Sequence, residues 1–482
     1  MRSPSAPDVA ALLGDWPARG SGSLASRLAF SFRSRILADL LPAGTVLPPE
    51  RLLADALAVS RSTLVAALDL LRAEGLVVSR QGSGTRIAGP PARATGQPGG
   101  GPTMAARLLG TAERGINLGI SAPPAAVHLP ALAVTSADLL AALPSHGYEP
   151  AGLPALRAAL ADRHTDAGLR TTAEQVHVTH GAQHAIDLAL ATLCQPGDPV
   201  AVEDPTYPGV LDVIAARRLR PVPLAGDGRG ATPAALEDAA RVHGTRAAFL
   251  LPAVHNPTGR VLDPGRRQAL ARALDRLEMA VVEDNTLADL VYGENRPPAL
   301  AQLCRRATVV TVETTSKVAW GGLRVGWLRA PASLVEQSVQ RRTSGDLGCS
   351  VPAQLLTLQL LDGYDELIAS RRTGLRASAA RFAALLPEAL PGCTFAPPAG
   401  GLSLWVRLPG GADAAAFASR ALRHGVSVAP GVFASPSGGH DHLRLCHDRP
   451  DEELVEGAAR LAAAWSETAA ARPLMLASQP RP

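Results

Sequence analysis

Apolar residues recur at every fourth position through Leu24, Leu28, Phe32, Ile36 and Leu40, which predicts an amphipathic helix stopping near Pro42-Ala43-Gly44. Pro48-Pro49-Glu50 opens a second helix with Leu52, Leu53, Ala56 and Leu57 as its apolar stripe. Ala58-Val59 makes a short turn, and Ser60 is placed to cap a third helix that buries Leu64, Ala67, Leu68 and Leu71. That helix ends at Glu74-Gly75. Leu76-Val77-Val78-Ser79 and Thr85-Arg86-Ile87, separated by Gln81-Gly82-Ser83-Gly84, then predict a small hairpin. Residues 1–21 are short, punctuated by Gly, Ser and Pro, and carry no such pattern; they read as an N-terminal arm.

The pattern changes twice more. Residues 90–115 are rich in Pro, Gly and Ala and predict a linker; a flexible chain of that length spans roughly 25–30 Å. From residue 116 to 466 short β-type runs alternate with helical stretches, the signature of an α/β domain with a mainly parallel sheet. Residues 467–482 read as a tail. The expected domains are therefore 22–89 and 116–466.

Composition narrows the classes. Of 482 residues, 46% are hydrophobic and 19% charged, which suits globular domains with large cores. A net charge of +4 is too small over this length to imply nucleic-acid binding by itself. No apolar run approaches a membrane span, and the N-terminus carries charges where a secretory core would lie. The 5 cysteines lie far apart without a CxxC pair, so neither a zinc site nor a disulfide framework is expected, and a reducing cytoplasm is the simplest setting. One count changes the picture more. Among 47 basic residues the single lysine is Lys317. A lysine that survives such an arginine bias suits a task guanidinium cannot perform, such as losing its proton and attacking a carbonyl.

Two helices joined by a tight turn and followed by a hairpin form a winged helix-turn-helix pattern. The third helix leaves Arg61, Ser62 and Val65 on its outer face near its start, where such a helix enters a major groove. The run LPPERLLADALAVSRSTLVAALDLLRAEGLVVSRQGSGTRIA resembles the GntR family of bacterial transcription regulators. The resemblance implies that Arg51, Arg61, Ser62 and the wing-tip Gly82 contact a double-stranded DNA operator. Val65 stands where relatives often have arginine. Residues 1–90 hold 10 Arg against 7 Asp and Glu, a modest excess that suggests a dimer is needed for useful affinity.

In the larger domain, five predicted strands each end on a chemically distinctive loop: Thr179 before Gly181-Ala182-Gln183, Glu203 before Asp204 to Tyr207, Leu251 before His255-Asn256-Pro257, Glu283 before Asp284, and Val312 before Thr314 to Lys317. Ligands of open α/β sheets bind at the carboxyl ends of strands. The set suits pyridoxal 5'-phosphate. Lys317 provides the amine for a Schiff base, Asp284 a partner for the pyridine nitrogen, Asn256 a donor to the phenolate oxygen and Tyr207 a ring face. Gly181, Ala182 and Gln183 open a helix that favours phosphate, with Thr314 and Arg324 completing the cup.

The motifs THGAQHAIDLAL, VEDPTYPG, HNPTG, VVEDN and TTSKVAWGGLRVGW resemble the fold-type I aminotransferases, in family order. Their position behind a GntR module resembles the MocR/PdxR/GabR-like regulators over nearly the whole chain. The resemblance implies an α/β fold with a smaller α+β subdomain, a homodimer, and Arg444 as the holder of an α-carboxylate. Two positions depart from it: Thr286 replaces the tyrosine usually found two residues after the aspartate, and Tyr148 is displaced by one residue from the tyrosine that reaches a partner's phosphate. Two functions follow as expectations: a transcription regulator sensing pyridoxal phosphate, an amine or an amino acid, or a working aminotransferase with an accessory DNA-binding domain.

Overall fold

The computed structural model describes residues 4–14, 16–18, 23–37, 41, 45–73, 76–80, 84–87, 115–123, 128–142 and 146–470. The chain divides into two compact units, residues 1–103 and 104–482.

The first unit is built on α2 (Leu24–Leu37), α3 (Glu50–Ala56) and α4 (Arg61–Ala73), followed by β1 (Val77–Arg80) and β2 (Gly84–Ile87). The strands pair antiparallel, from Val77 opposite Ile87 to Arg80 opposite Gly84. Ser60 caps α4 as its position predicts, accepting the Thr63 N–H at 3.1 Å. Leu28, Phe32, Ile36, Leu53, Leu57, Leu64, Leu68 and Leu71 form one core. Two expectations change. Leu52 is 56% exposed and Ala56 is exposed as well; Leu53, Ala54 and Leu57 are the buried positions, on the side of α3 that joins the shared core. Residues 1–21, which carry no periodic signal, nonetheless contain α1 (Ala6–Leu13), capped by Ser5 and Asp8 holding each other's backbone N–H groups. Val9, Leu13 and Trp16 join the same core.

The second unit is a seven-stranded sheet in the order β4-β10-β9-β8-β7-β5-β6. These strands are β4 (Val176–Thr179), β5 (Pro199–Glu203), β6 (Arg220–Leu224), β7 (Ala247–Leu250), β8 (Ala280–Asp284), β9 (Val309–Thr314) and β10 (Gly326–Arg329). Only β10 runs against its neighbours, β4 and β9. Alternation along each strand feeds two cores: Val200, Val202 and Phe249 face helices Ala182–Leu193 and Pro208–Ala216, whereas Ala201, Ala248 and Leu250 face helices Pro233–His243 and Pro264–Leu277. Burial on both faces explains the nearly continuous apolar runs. The smaller subdomain carries an antiparallel sheet, β11-β14-β13, made by Ser403–Arg407, His442–Cys446 and Ala429–Pro430. A parallel pair, β3 (Ile116–Asn117) with β12 (Val426–Ser427), lies beside it. Helix Asp451–Ala470 closes it and runs past the point where a tail was expected to begin. The predicted linker lies almost wholly outside the described residues, as do residues 471–482. Among the described residues no helix is long and apolar enough to cross a membrane.

Candidate cofactor site and nucleic-acid face

The strand order brings all five predicted loops to one edge of the sheet. Because β10 lies antiparallel between β4 and β9, Thr179, Gly326 and Thr314 stand in register, and the ends of β4 and β9 face the same way. β10 also seals the join. A Cβ at Gly326 would lie 2.6 Å from the Gly181 carbonyl carbon, so only glycine permits this approach.

Lys317 donates from Nζ to the Ser121 carbonyl at 2.7 Å. Burial, and secondarily the Arg444 guanidinium, lower its amine to about 8, against an opposing pull from Asp284. Asp284 is 4% exposed, and burial raises its carboxyl despite hydrogen bonds from Thr286, whose N–H donates at 2.9 Å. A buried carboxyl hydrogen-bonded by one threonine, with Lys317 as its charged neighbour, suits a protonated ring nitrogen as a direct partner.

Arg444, on β14, is buried and places Nη2 2.6 Å from the Gly119 carbonyl and Nη1 3.3 Å from Asn256 Oδ1. Its Nε is buried without a partner, and it forms no salt bridge among the described residues. A guanidinium left this way is prepared for a carboxylate. Tyr207, half-buried, donates its hydroxyl to Gln183 Oε1 at 2.9 Å, and Gln183 Nε2 donates to the Gly209 carbonyl.

At the phosphate end some of the expected groups have partners within the chain. Gly181, at φ 74°, caps helix Ala182–Leu193, but its own N–H is donated to the Thr179 carbonyl at 2.8 Å. The Ala182 and Gln183 N–H groups begin the helix without intrahelical acceptors. Thr314 Oγ1 turns back on the Val325 carbonyl, 2.7 Å away, and accepts the Ser316 N–H. Exposed Arg324 reaches over Gly181 to donate to the His180 carbonyl at 2.7 Å. His180 and His184 stack and face Asp346 at 3.7 and 3.9 Å, a carboxylate already held by Arg342.

These residues fit pyridoxal phosphate: an amine of lowered pKa, a buried carboxyl beside it, a helix start for the phosphate and a buried guanidinium without an ion pair. The carbonyls of Gly119 and Ser121 were missed in sequence because they lie about two hundred or more residues from their partners in the chain.

In the first unit Arg51, Arg61 and Ser62 are exposed on α3 and at the start of α4, and Gly82 lies outside the described residues. Arg61 is 74% exposed and loosely paired with Glu50 at 3.3 Å; Glu50 also faces Arg72 at 3.7 Å. Ser60 and Ser62 hydroxyls lie 2.8 Å apart. Val65 is half-buried.

The chain matches the model of the aminotransferase class I and II family over residues 113–461 and that of the bacterial regulatory proteins of the gntR family over residues 24–87. It is 30% identical to the probable rhizopine catabolism regulatory protein MocR of Rhizobium meliloti, covering 69% of this chain and 70% of that one. It is 27% identical to the HTH-type transcriptional regulator YisV of Bacillus subtilis, itself uncharacterized, covering 83% and 87%. The crystal structure of LysN, an alpha-aminoadipate aminotransferase from Thermus thermophilus complexed with N-(5'-phosphopyridoxyl)-L-leucine, superposes with a TM-score of 0.68 at 28% identity, covering 77% and 97%.

Proposed function

From the fact that the chain belongs to the aminotransferase class I and II family and carries a gntR-family module in front of that domain, we propose that it is a pyridoxal phosphate-dependent transcription regulator that binds a DNA operator. The observation that carries the reading is the lone lysine: Lys317, an amine lowered to about 8 beside Asp284, in a chain whose other cationic side chains are all arginine.

Pyridoxal phosphate, when bound, supplies reversible covalent capture of primary amines and an electron-withdrawing ring. The chain's own residues do the rest. Lys317 contributes the free amine that holds the cofactor. Asp284 keeps a proton on the ring nitrogen, and burial makes that pairing strong because no water competes. Asn256 donates to the ring oxygen, Tyr207 covers one ring face, and the N–H groups of Ala182 and Gln183 with Arg324 hold the phosphate. Arg444 selects ligands bearing a carboxylate. Arg51, Arg61, Ser62 and Gly82 contact DNA.

The effector is an amino acid, an amine or the cofactor itself, and its binding shifts how a homodimer presents two winged modules; such a shift requires different affinities for two arrangements. The setting is the cytoplasm. Footprinting of the full chain on the regions flanking its own gene, with and without pyridoxal phosphate and candidate amines, tests this. Protection that changes with ligand is expected, and no footprint under any condition overturns the reading.

A second reading, retained transamination, draws support from the likeness to LysN. Thr286 weighs against it: its shorter hydroxyl stands where such enzymes usually present a tyrosine. Steady conversion of an amino donor and a keto acid by the purified protein would establish it, whereas a spectral change without turnover would leave the sensor.

A further inference from the structure

The loop that follows β5 is tied to the smaller subdomain by a carboxylate that the roles above leave unused. Asp204 Oδ1 accepts a hydrogen bond from Ser435 Oγ at 2.5 Å, and its Oδ2 accepts from the Ser437 N–H at 3.2 Å and from the Ser437 hydroxyl. Ser435 Oγ is itself held in place, accepting the Gly438 N–H at 2.9 Å. Beside this contact the Thr206 N–H donates to the Ala434 carbonyl at 2.7 Å. Hydrogen bonds to a charged acceptor are the stronger kind, and three of them converge on one side chain.

One of the two joined loops carries a residue of the candidate site, and the other adjoins the strand pair that carries another. Three residues beyond Asp204 stands Tyr207. Residues 431–437 continue directly from β13, whose Ala429 pairs with Arg444 on β14. The clasp therefore ties the segment bearing the ring-covering tyrosine to the loop that follows β13, the strand paired with the one bearing Arg444. A ligand joined to the cofactor and also held by its carboxylate must reach both at once. Their separation then decides whether the carboxylate meets Arg444 in hydrogen-bonding geometry, whereas the cofactor alone makes no such demand.

We propose that Asp204 is a positioning residue: by clasping Ser435 and Ser437 it sets the distance between Tyr207 and Arg444, and so gives the site its preference for amines that carry an α-carboxylate. This rests on the reading of Arg444 as the carboxylate-holding group. Asp204 touches neither cofactor nor ligand and acts through the two loops.

The test uses two stable probes, N-(5'-phosphopyridoxyl)-glycine and N-(5'-phosphopyridoxyl)-methylamine, which differ only in the carboxylate. Each is titrated calorimetrically into the cofactor-free full chain. The wild-type chain is expected to prefer the glycine adduct by about tenfold or more, the worth of a charged hydrogen-bonded pair. In Asp204→Ala this preference falls toward unity while affinity for the methylamine adduct stays within about threefold. The double variant Ser435→Ala, Ser437→Ala removes the clasp from its other side and is expected to give the same loss, which keeps the test decisive if the aspartate variant does not fold. Asp204→Asn, which retains one acceptor, should fall between. An unchanged preference in the clasp variants overturns the proposal, and so does an equal loss for both adducts, the mark of a purely structural prop. A wild-type chain with no preference overturns the reading of Arg444 instead, and the proposal with it.

Discussion

Lys317 lends itself to a quantitative test, because only the free amine attacks an aldehyde. With the amine at about 8 instead of 10.5, the free fraction at pH 7 is roughly 10%, against about 0.03% for an ordinary lysine, a ratio of about 300. The assay mixes cofactor-free protein with pyridoxal phosphate and follows the growth of absorbance from about pH 6 to about pH 10, a range chosen to bracket both values. The rate constant should rise about tenfold per unit at first and bend near the amine's own pKa. The neighbours fix the sign of further shifts. Burial is the larger cause and stays in place; Arg444 also lowers the amine, so Arg444→Met moves the bend to higher pH. Asp284 opposes it, so Asp284→Asn moves the bend lower. A rate that climbs unbroken toward 10.5 would refute the reasoning, as would a Lys317→Ala variant that still traps cofactor on borohydride treatment.

Three other outcomes follow from the geometry. Gly326→Ala sets a methyl group 2.6 Å from the Gly181 carbonyl carbon and 2.7 Å from the Ala182 nitrogen; a cost of about 1–3 kcal/mol in thermal unfolding is expected, together with weaker cofactor binding in equilibrium titration. Asp448→Ala strands the buried Arg371, whose two Nη atoms now lie 3.0 and 2.8 Å from the carboxylate; urea unfolding should show a loss of about 3–5 kcal/mol. Arg61→Ala removes an exposed cation, so stability should hold within about 0.5 kcal/mol while DNA affinity falls and the slope of log K against log salt drops by about one.

What could be seen in the sequence was whatever a short motif carries with it. Lys317, Asp284, Asn256 and Tyr207 each follow a strand signal directly, and the sheet's topology does the gathering, so their convergence needed no long-range information. The winged module was equally visible, since every contact of the α4 stripe is made within about sixty residues. What escaped depended on partners remote in sequence: the Ser121 carbonyl under Lys317, the Arg371–Asp448 pair, and the Asp204 clasp. α1 escaped for another reason. Its apolar positions sit in a stretch punctuated by Gly, Ser and Pro, and its capping box and burial against α3 and α2 define it instead. Leu52 and Ala56, four residues apart, show the converse error: they share a face of α3, but the face that turns inward carries Leu53, Ala54 and Leu57.

The placement of β10 has a consequence for the living cell. β4 is flanked in the sheet by β10 alone, so the loop at Gly181 gains its fixed backing only when residues 326–329 have been made, nearly 150 codons later. By Ile87 the ribosome has already delivered every side chain of the winged module's core. A chain interrupted between those points would carry the core of the winged module without the strand that backs the loop at Gly181.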